Sequence, residues 1–244
     1  MLIDFKGKRA LVTGAAHGIG RAIAFALARD GATVTGVDNR PVEPNENGLT
    51  IHTHQCDLTK RAAIDELVKS KGPFDILIHS AGGVCGQVGR PLEDISEDDW
   101  DTIVNINMKA GFFLSQAVAP HMKQQGYGRI VLISSGAGLG VSLTGIQAYA
   151  SAKAGEIGLT RQLGHELGKF GITVNSVAPG FVRSNPTTER QWEAYGAEGQ
   201  KAMIERIATR RLGKVDDIVA ATLFFASEQA EWITGQVLSV DGGK

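Results

Sequence analysis

Short apolar segments alternate with longer amphipathic segments from one end of the chain to the other. Continuous apolar character is typical of strands buried on both faces, and apolar positions three and four residues apart are typical of helices that cover a sheet. The pattern predicts strands at residues 9–13, 33–37, 51–56, 75–79, 129–134, 172–177 and 237–240. It predicts helices at residues 19–30, 60–70, 149–169 and 215–226, one or two helices within 98–125, and a polar helical region at 186–207.

This alternation of strands and helices predicts an α/β fold with a central parallel sheet and helices on both faces. Right-handed crossovers make such a sheet doubly wound, of the Rossmann type. The sequence has no internal repeat and no low-complexity linker. We therefore expect a single domain over residues 1–244, with substrate loops at about 183–211. Ligands of such folds bind outside the carboxyl ends of the strands.

Composition and charge narrow the classes of partner. The 244 residues are 43% hydrophobic and 21% charged, and the formal net charge is −1. Nothing in this balance attracts nucleic acid or an anionic membrane, so we expect neither. The first residues include Asp4, Lys6 and Lys8 and lack the apolar core of a signal peptide. Two cysteines, Cys56 and Cys85, do not make a disulfide framework, and a cytoplasmic protein is expected.

A glycine-rich turn follows the first predicted strand, in the sequence TGAAHGIG. Gly14 permits a tight turn, Gly18 lets the backbone approach a pyrophosphate, and Gly20 lets the helix pack closely on the strand. The helix N-terminus, at His17 and Ile19, then presents unpaired N–H groups to the phosphates. The alternative is a turn with a purely structural role.

Asp38 follows the second predicted strand and bears on the choice of dinucleotide. A carboxylate there can accept hydrogen bonds from the adenosine ribose and repel a 2′-phosphate, which favours NAD. Arg40 is a counter-signal, because a guanidinium can pair with a 2′-phosphate, so NADP is the less favoured cofactor. The structural alternative for Asp38 is a turn cap before Pro41.

Tyr149 and Lys153 lie four residues apart in a predicted helix and therefore share one face. A nearby ammonium favours the phenolate form of a phenol. Tyr149 can then donate a proton to a carbonyl oxygen or accept one from an alcohol. Ser135, after the fifth strand, can polarise the substrate oxygen, with Ser134 as the alternative. A Tyr/Lys pair alone is common on helix surfaces, so it indicates a catalytic role only in combination with the glycine turn upstream.

The motifs TGAAHGIG and YASAK, in this order, resemble the short-chain dehydrogenase/reductase (SDR) family, and the resemblance covers essentially the whole chain. It implies hydride transfer between NAD(H) and an alcohol/carbonyl pair, with Ser135, Tyr149 and Lys153 as the reactive group. It also places Asn107 where the family supports a water link from the lysine to solvent. Asn105 is the alternative for that position, and a purely structural asparagine is another.

The resemblance further implies cofactor contacts after several strands. Asp57 and Leu58 resemble the pair that contacts adenine, although Asp57 can equally cap a helix. Val182 would meet the carboxamide through its backbone, and Ser184 replaces a frequent threonine. His79 departs from the family by replacing an asparagine that mainly stabilises the sheet. Together with the turn and Asp38, the expected cofactor contacts are Gly14, His17, Gly18, Ile19, Gly20, Asp38, Asp57, Leu58, Ala81, Gly82, Tyr149, Lys153, Pro179, Gly180, Val182 and Ser184.

The substrate loops are rich in polar and cationic residues, which suggests a small polar substrate such as a sugar, polyol or hydroxy acid. These residues are Gln147, Arg183, Arg190, Trp192, Tyr195, Arg210 and Arg211. The sequence has no histidine/carboxylate cluster with metal-ligand spacing, so no metal site is expected. The C-terminal residues 233–243 resemble the family's interface segment and predict a homotetramer, with a dimer second. The alternatives to an enzyme are an NAD(H)-binding sensor without turnover and a structural subunit.

Overall fold

Buried apolar strands form the centre of the fold in the computed structural model, which describes residues 3–142 and 144–244. The strands are β1 (Arg9–Thr13), β2 (Thr33–Asp38), β3 (Asn45–Glu46), β4 (Leu49–Thr50), β5 (His52–Gln55), β6 (Ile76–His79), β7 (Gly128–Ile133), β8 (Ile172–Pro179) and β9 (Val237–Val240). The described strands make a seven-stranded sheet in the order β5-β2-β1-β6-β7-β8-β9 and a separate hairpin, β3-β4. Every pairing within the large sheet is parallel, and the predicted α/β fold is confirmed.

Helices follow the strands along the chain. They are α1 (Gly18–Arg29), α2 (Arg61–Lys71), α3 (Glu97–Val104), α4 (Ala110–Gln125), α5 (Gly136–Leu139), α6 (Gln147–Leu167), α7 (Pro186–Ala194), α8 (Gly196–Arg206) and α9 (Val215–Ala226). A π-helical turn, Asn105–Lys109, joins α3 to α4 without a break. Among the described residues, no helix combines the length and the apolar character needed to cross a membrane.

The apolar residues of each strand are shared between the two faces of the sheet. Val12 of β1 packs in one core cluster with residues of α1 and α9, whereas its neighbour Leu11 packs in a second cluster with residues of α2 and α4. Successive side chains of a strand point to opposite faces, so both faces need apolar residues. The predicted strands have continuous apolar character because both faces of the sheet are buried.

Two parts of the fold differ from the predicted elements. The hairpin β3-β4 was not expected; its turn uses Asn47 and Gly48, whose φ angles of 49° and 79° lie in the left-handed region. Such a turn suits a tight hairpin, but strands of two residues carry no readable alternation. The polar region at 186–207 is two helices, α7 and α8, separated at Tyr195.

The register of the sheet brings the carboxyl ends of five strands to one edge. Thr13, the last residue of β1, pairs with His79, the last residue of β6. Ile133 at the end of β7 pairs with Val177 near the end of β8, and Val37 of β2 also pairs with Thr13. The loops that leave these strands are therefore neighbours.

Candidate active site

The glycine turn closes tightly against the loop after β6. Gly14 has a φ of 73°, and a Cβ atom on it would lie 2.9 Å from the Ser80 carbonyl. A Cβ on Gly20 would lie 2.3 Å from the Gly14 carbonyl oxygen. Neither position has space for a side chain, which accounts for the spacing of the motif.

Gly18 brings two of the predicted cofactor segments together. Its φ is 61°, and a Cβ on it would lie 2.7 Å from the carbonyl oxygen of Ser184 in the loop after β8. His17 precedes α1, and within the described residues its side chain makes no capping hydrogen bond to the helix. The first N–H groups of α1, beginning at Gly18 and Ile19, therefore remain available for a phosphate.

Asp38 lies at the end of β2 and is bound to the glycine turn. Its carboxylate accepts hydrogen bonds from the Ala16 N–H at 3.2 Å and from the Arg40 N–H at 3.1 Å. The Arg40 side chain, 57% exposed, has its Nε 3.6 Å from Asp38 Oδ1 and also contacts His17. Asp38 therefore caps a turn, as the structural alternative holds. It also lies beside the glycine turn that would hold a dinucleotide.

Asp57 and Leu58 follow β5. The Asp57 carboxylate accepts hydrogen bonds from the Thr59 hydroxyl at 2.7 Å and the Thr59 N–H at 3.0 Å. The hydroxyl bond is the main reason that the pKa of Asp57 lies below its ordinary value. Because the residue that caps α2 is Lys60, Asp57 caps a turn and not the helix. The Leu58 side chain is buried in the core.

His79 connects β6 to the glycine-turn strand and to the π-helical turn. The Thr13 hydroxyl accepts from the N–H groups of Ser80 and Ala81, at 3.2 and 3.1 Å, so its proton is free to be donated to His79 Nδ1 at 3.0 Å. Nε2–H then donates to the Asn107 carbonyl at 3.0 Å, which assigns the neutral Nε2–H tautomer. Burial, followed by the charge of Lys153, lowers the pKa of His79 to about 4.

Asn107 is buried and fixes the loop after β6. Its amide donates to the carbonyls of Ile103 at 2.8 Å and Gly83 at 3.0 Å, and its Oδ1 accepts from the Gly83 N–H at 3.0 Å. Gly82 has no space for a side chain, because a Cβ on it would lie 2.3 Å from Asn107 Oδ1. These bonds agree with the structural interpretation of Asn107, and they set the position of the predicted cofactor contacts Ala81 and Gly82.

The two candidate serines after β7 have different surroundings. Ser134 is buried, and its hydroxyl donates to the Lys153 carbonyl at 3.0 Å. Ser135 is half-buried and caps α5, its hydroxyl accepting from the Ala137 N–H at 3.1 Å. The Ser135 hydroxyl keeps its proton for another acceptor, whereas that of Ser134 is committed to α6.

Tyr149 and Lys153 share one face of α6, as predicted. Lys153 Nζ lies 5.8 Å from the centroid of the Tyr149 ring. The ammonium donates to the Ile133 carbonyl at 2.8 Å and to Glu156 Oε2 at 2.6 Å, and both charged side chains are buried. Burial alone would lower the pKa of Lys153, but the charge of Glu156, the charge of Tyr149 and the hydrogen bond to Glu156 raise it above its ordinary value.

The loop after β8 completes this edge of the sheet. Pro179 ends β8, and Gly180 lies against the C-terminal segment, where a Cβ would be 2.7 Å from Asp241 Cβ. Val182 forms a β-bridge with Gly213 and its side chain is buried.

Two of the four predicted cationic groups of the substrate loops are already paired. Arg183 binds Glu189 and Arg211 binds Asp217, each at 2.6 Å. Phe181 instead forms an aromatic cluster with Trp192 and Tyr195, with ring centroids 6.1 Å apart in each pair. Two buried amide atoms, Gln87 Nε2 and Gln147 Oε1, have no hydrogen-bond partner within the described part of the chain.

Three side chains of this region were not found by sequence reasoning: Thr13, Gln87 and Glu156. Glu156 had a signal, because a carboxylate three residues after Lys153 lies on the same helix face. Thr13 and Gln87 had none, since their roles depend on which loops the sheet brings together. Across residues 3–142 and 144–244, no group of three or more histidine, cysteine or acidic side chains gathers as for a metal ion.

The chain is similar to known proteins over nearly its whole length. The family model described as enoyl-(acyl carrier protein) reductase matches residues 14–244. The BbsD subunit of a hydroxy(phenyl)methylsuccinyl-CoA dehydrogenase from Thauera aromatica is 38% identical over 253 residues, covering 99% of this chain and 98% of the relative. Gluconate 5-dehydrogenase of Gluconobacter oxydans is 36% identical over 253 residues, covering 99% of this chain and 96% of the relative.

Solved structures show the same architecture. A crystal structure from Agrobacterium tumefaciens with bound NADP, provisionally assigned as a 2-deoxy-D-gluconate 3-dehydrogenase, aligns with a TM-score of 0.88 and 35% identity over 98% of this chain and 96% of that chain. The fold and the site define a dinucleotide-dependent oxidoreductase that acts on CH–OH groups. The chain belongs to the short-chain dehydrogenase/reductase family, which confirms the resemblance seen in the sequence.

Proposed function

We propose that this protein transfers hydride between NAD(H) and the alcohol/carbonyl pair of a small polar substrate, with Tyr149 as general acid and base. The observation that carries the proposal is the meeting, at one sheet edge, of the glycine turn with the loops that lead to Tyr149 and Lys153. A bound nicotinamide supplies or accepts the hydride. The protein's own residues then have to move one proton and hold the substrate oxygen.

Each reactive side chain has a place in this chemistry. In reduction, the Tyr149 hydroxyl donates its proton to the carbonyl oxygen, and in oxidation the phenolate takes the proton of the alcohol. The Ser135 hydroxyl donates to the same oxygen and polarises it. One of the three N–H donors of the Lys153 ammonium remains for a further contact once Ile133 and Glu156 are bound. Asn107 holds the loop of Gly82 beside Lys153.

The residues present fit a dinucleotide. The N-terminus of α1 is open, and Gly14 and Gly18 let the turn pack against the loops after β6 and β8, which makes a cradle for a pyrophosphate at this N-terminus. Asp38 borders this cradle and favours NAD, whereas Arg40 beside it supports the alternative, NADP, which is bound in the Agrobacterium structure. We favour NAD because the Asp38 carboxylate is buried against the turn and Arg40 is largely exposed. The remaining predicted contacts, from Asp57 to Ser184, belong to the same proposal.

The substrate we propose is rich in hydroxyl groups: a sugar, a polyol or a hydroxy acid. Gln87 accepts from the Ala148 N–H at 3.3 Å and Gln147 donates to the Arg90 carbonyl at 3.1 Å, so both lie beside the start of α6. The Gln87 Nε2 donor and the Gln147 Oε1 acceptor have no partner among the described residues, and hydroxyls, which donate and accept, can satisfy both. The gluconate dehydrogenase relative acts on a molecule of this class according to its name.

The proposal includes a homotetramer, with a dimer second, formed by one domain over residues 1–244. It includes a cytoplasmic location, which rests on the free thiols Cys56 and Cys85. It includes no nucleic-acid partner, because the net charge is −1.

The test of the chemistry is turnover on a panel of secondary alcohols, aldoses and sugar acids with NAD and with NADP, followed by nicotinamide absorbance. Tyr149→Phe should keep cofactor affinity within a few-fold and lose turnover by about 10² or more, as expected for removal of a general acid–base. Tyr127→Phe, a half-buried tyrosine stacked under Lys8, is the matched control and should be unchanged. Near-normal turnover in Tyr149→Phe would refute the role of Tyr149, and no turnover on any substrate would leave the sensor alternative.

The test of cofactor choice is the ratio of kcat/KM for NAD and NADP, which we expect to favour NAD by about tenfold or more. A fraction of the repulsion of about 4 kcal/mol between like charges ~4 Å apart is enough for this, since ~1.4 kcal/mol is tenfold. Asp38→Ala should shift the ratio toward NADP, and Arg40→Ala in that background should reverse part of the shift. A general loosening of the turn would lower both efficiencies and leave their ratio unchanged.

A further inference from the structure

A buried ionisable group that the proposed chemistry does not use lies directly behind Lys153. Glu156 is fully buried, and its Oε2 is 2.6 Å from Lys153 Nζ. The other oxygen, Oε1, has no hydrogen-bond partner within the described residues. Only part of this carboxylate is therefore engaged, in a place where burial makes an unpaired oxygen unfavourable.

Stability does not account for this arrangement. A buried polar atom without a partner costs about 1–3 kcal/mol, and a buried ion pair is often no more stabilising than apolar residues of similar volume. Glu156 faces α4 at Gly111, where a Cβ would lie 3.7 Å from Glu156 Oε1 and 3.0 Å from the His79 ring. This packing closes the Glu156 side chain off from solvent.

The polar groups around Glu156 are committed elsewhere. Two titratable side chains near Glu156 come from its own helix: Lys153, which contacts it, and Tyr149, which lies beyond Lys153. A third, His79, comes from β6. His79 is held neutral between Thr13 and the Asn107 carbonyl. That carbonyl already accepts a hydrogen bond from His79 Nε2. Glu156 is thus the ionisable side chain that the Lys153 ammonium contacts directly.

We propose that Glu156 is a positioning residue that holds Lys153 Nζ and exchanges a proton with it in each turnover. The inference rests on the proposed function. In reduction, hydride adds to the carbonyl carbon and the Tyr149 proton goes to the oxygen, leaving a phenolate. The phenolate takes a proton from the Lys153 ammonium, directly or through a hydroxyl between them, and the resulting amine takes the proton of the Glu156 carboxylic acid. The carboxylate that remains is reprotonated through Lys153 when the site is open to water, and oxidation reverses each step.

The electrostatics of the pair suit such an exchange. Burial raises the pKa of Glu156 to about 7, against the lowering effect of the Lys153 charge and hydrogen bond. Near neutral pH the carboxyl group is therefore present in both forms, and either form can be reached without a large cost in free energy.

The experiment combines Glu156→Gln, which keeps a hydrogen-bond acceptor but cannot ionise, with Glu156→Leu, which removes the acceptor. The matched control is Glu166→Gln, an exposed carboxylate on the same helix. Infrared difference spectra of the cofactor-free wild type and Glu166→Gln across pH 5 to 9 should show a buried carboxyl stretch that disappears near neutral pH, and Glu156→Gln should lack it. With saturating cofactor, Glu156→Gln should lose at least tenfold in kcat at pH 7, with cofactor Kd within threefold, and its kcat should lose the pH dependence near 7 that the wild type shows.

The outcomes separate this inference from the function on which it rests. A carboxyl stretch that titrates equally in Glu156→Gln, or a variant whose kcat follows the wild-type pH profile, would overturn the inference while turnover stands. Equal kcat losses in Glu156→Gln and Glu156→Leu with an unshifted pH profile and a lowered melting temperature would show a purely structural role and also overturn it. A wild type without turnover on the substrate panel would overturn the proposed function, and this inference with it.

Discussion

At the scale of single residues, the neutral ring of His79 shows how buried polar groups set the properties of this site. The ring has no exposed surface and is bonded on both nitrogens, to Thr13 and to the Asn107 carbonyl. The cationic form would put a second proton on Nδ1, where the Thr13 hydroxyl donates, and would stand near the Lys153 ammonium. Neutral His79 therefore couples the stability of the fold to pH.

We expect His79→Asn, which restores the residue usual in the family, to change the acid limb of the stability curve. The pKa of His79 falls from 6.5 to about 4 on folding, which corresponds to about 3 kcal/mol. As pH falls, the unfolded chain binds this proton at a higher pH than the folded chain does. The wild type should therefore lose about 3 kcal/mol of unfolding free energy between pH 6.5 and about 4, and should lose none of it above pH 6.5. Urea unfolding of both proteins from pH 4 to 8 measures the difference.

The variant is its own control above pH 6.5, where the difference in unfolding free energy should be constant. Glu156 contributes with the opposite sign to His79, because its raised pKa of about 7 makes the fold more stable as pH falls. This contribution is present in both proteins, so it largely cancels in the difference between their unfolding free energies. A difference that does not change between pH 4 and 7 would mean that folding does not lower the pKa of His79.

The sequence predicted candidate site residues whose type and spacing are the signal, and it missed side chains that are defined by their partners. Tyr149 and Lys153 stand one helical turn apart wherever the helix lies. The choice between Ser134 and Ser135 needed the structure, because both follow β7 and only the backbone path decides which hydroxyl meets the Lys153 carbonyl. Glu156 was missed because a carboxylate on a helix is ordinarily solvent-exposed.

At the scale of elements, strongly patterned segments were predicted closely and locally determined ones were not. The helix at 215–226 and the strand at 237–240 have the predicted bounds, since apolar periodicity sets both. The segment 98–125 is continuous, but its π-helical turn lies where Asn107 reaches across to Gly83, a tertiary contact that periodicity does not record.

The junction of α1 with the loop after β8 gives a prediction for Gly18→Ala. An alanine would be strained at a φ of 61°, by about 1–2 kcal/mol, and its Cβ would meet the Ser184 carbonyl oxygen at 2.7 Å. The two segments would have to separate, so we expect the Kd for the dinucleotide to rise at least tenfold in calorimetric titration. Gly168→Ala, at a helical position with open space, should bind as the wild type does. Equal affinities of the two variants would contradict a cofactor cradle at Gly18.

At the scale of the whole molecule, large apolar side chains are exposed in several parts of the described chain, and two of these parts bear on assembly. Trp232 is 96% exposed and Leu238 41%, in the segment that includes the edge strand β9. Trp100 of α3 and Phe112 of α4 are 42% and 38% exposed. Exposed apolar surface of this kind marks interaction sites, and two different self-complementary surfaces are what a tetramer with two-fold axes requires.

We therefore expect sedimentation velocity at micromolar concentration to give a homotetramer. Placing a charge on one surface should break one class of two-fold contact and leave the other, so Leu238→Lys combined with Trp232→Asp should sediment as a dimer. Leu92→Lys, on a side chain 72% exposed outside both surfaces, is the control and should remain tetrameric. Because the altered residues lie outside the proposed catalytic group, the dimer should keep measurable turnover, which distinguishes a broken interface from an unfolded chain. A wild type that sediments as a monomer, or a double variant that stays tetrameric, would show that these surfaces do not hold the assembly together.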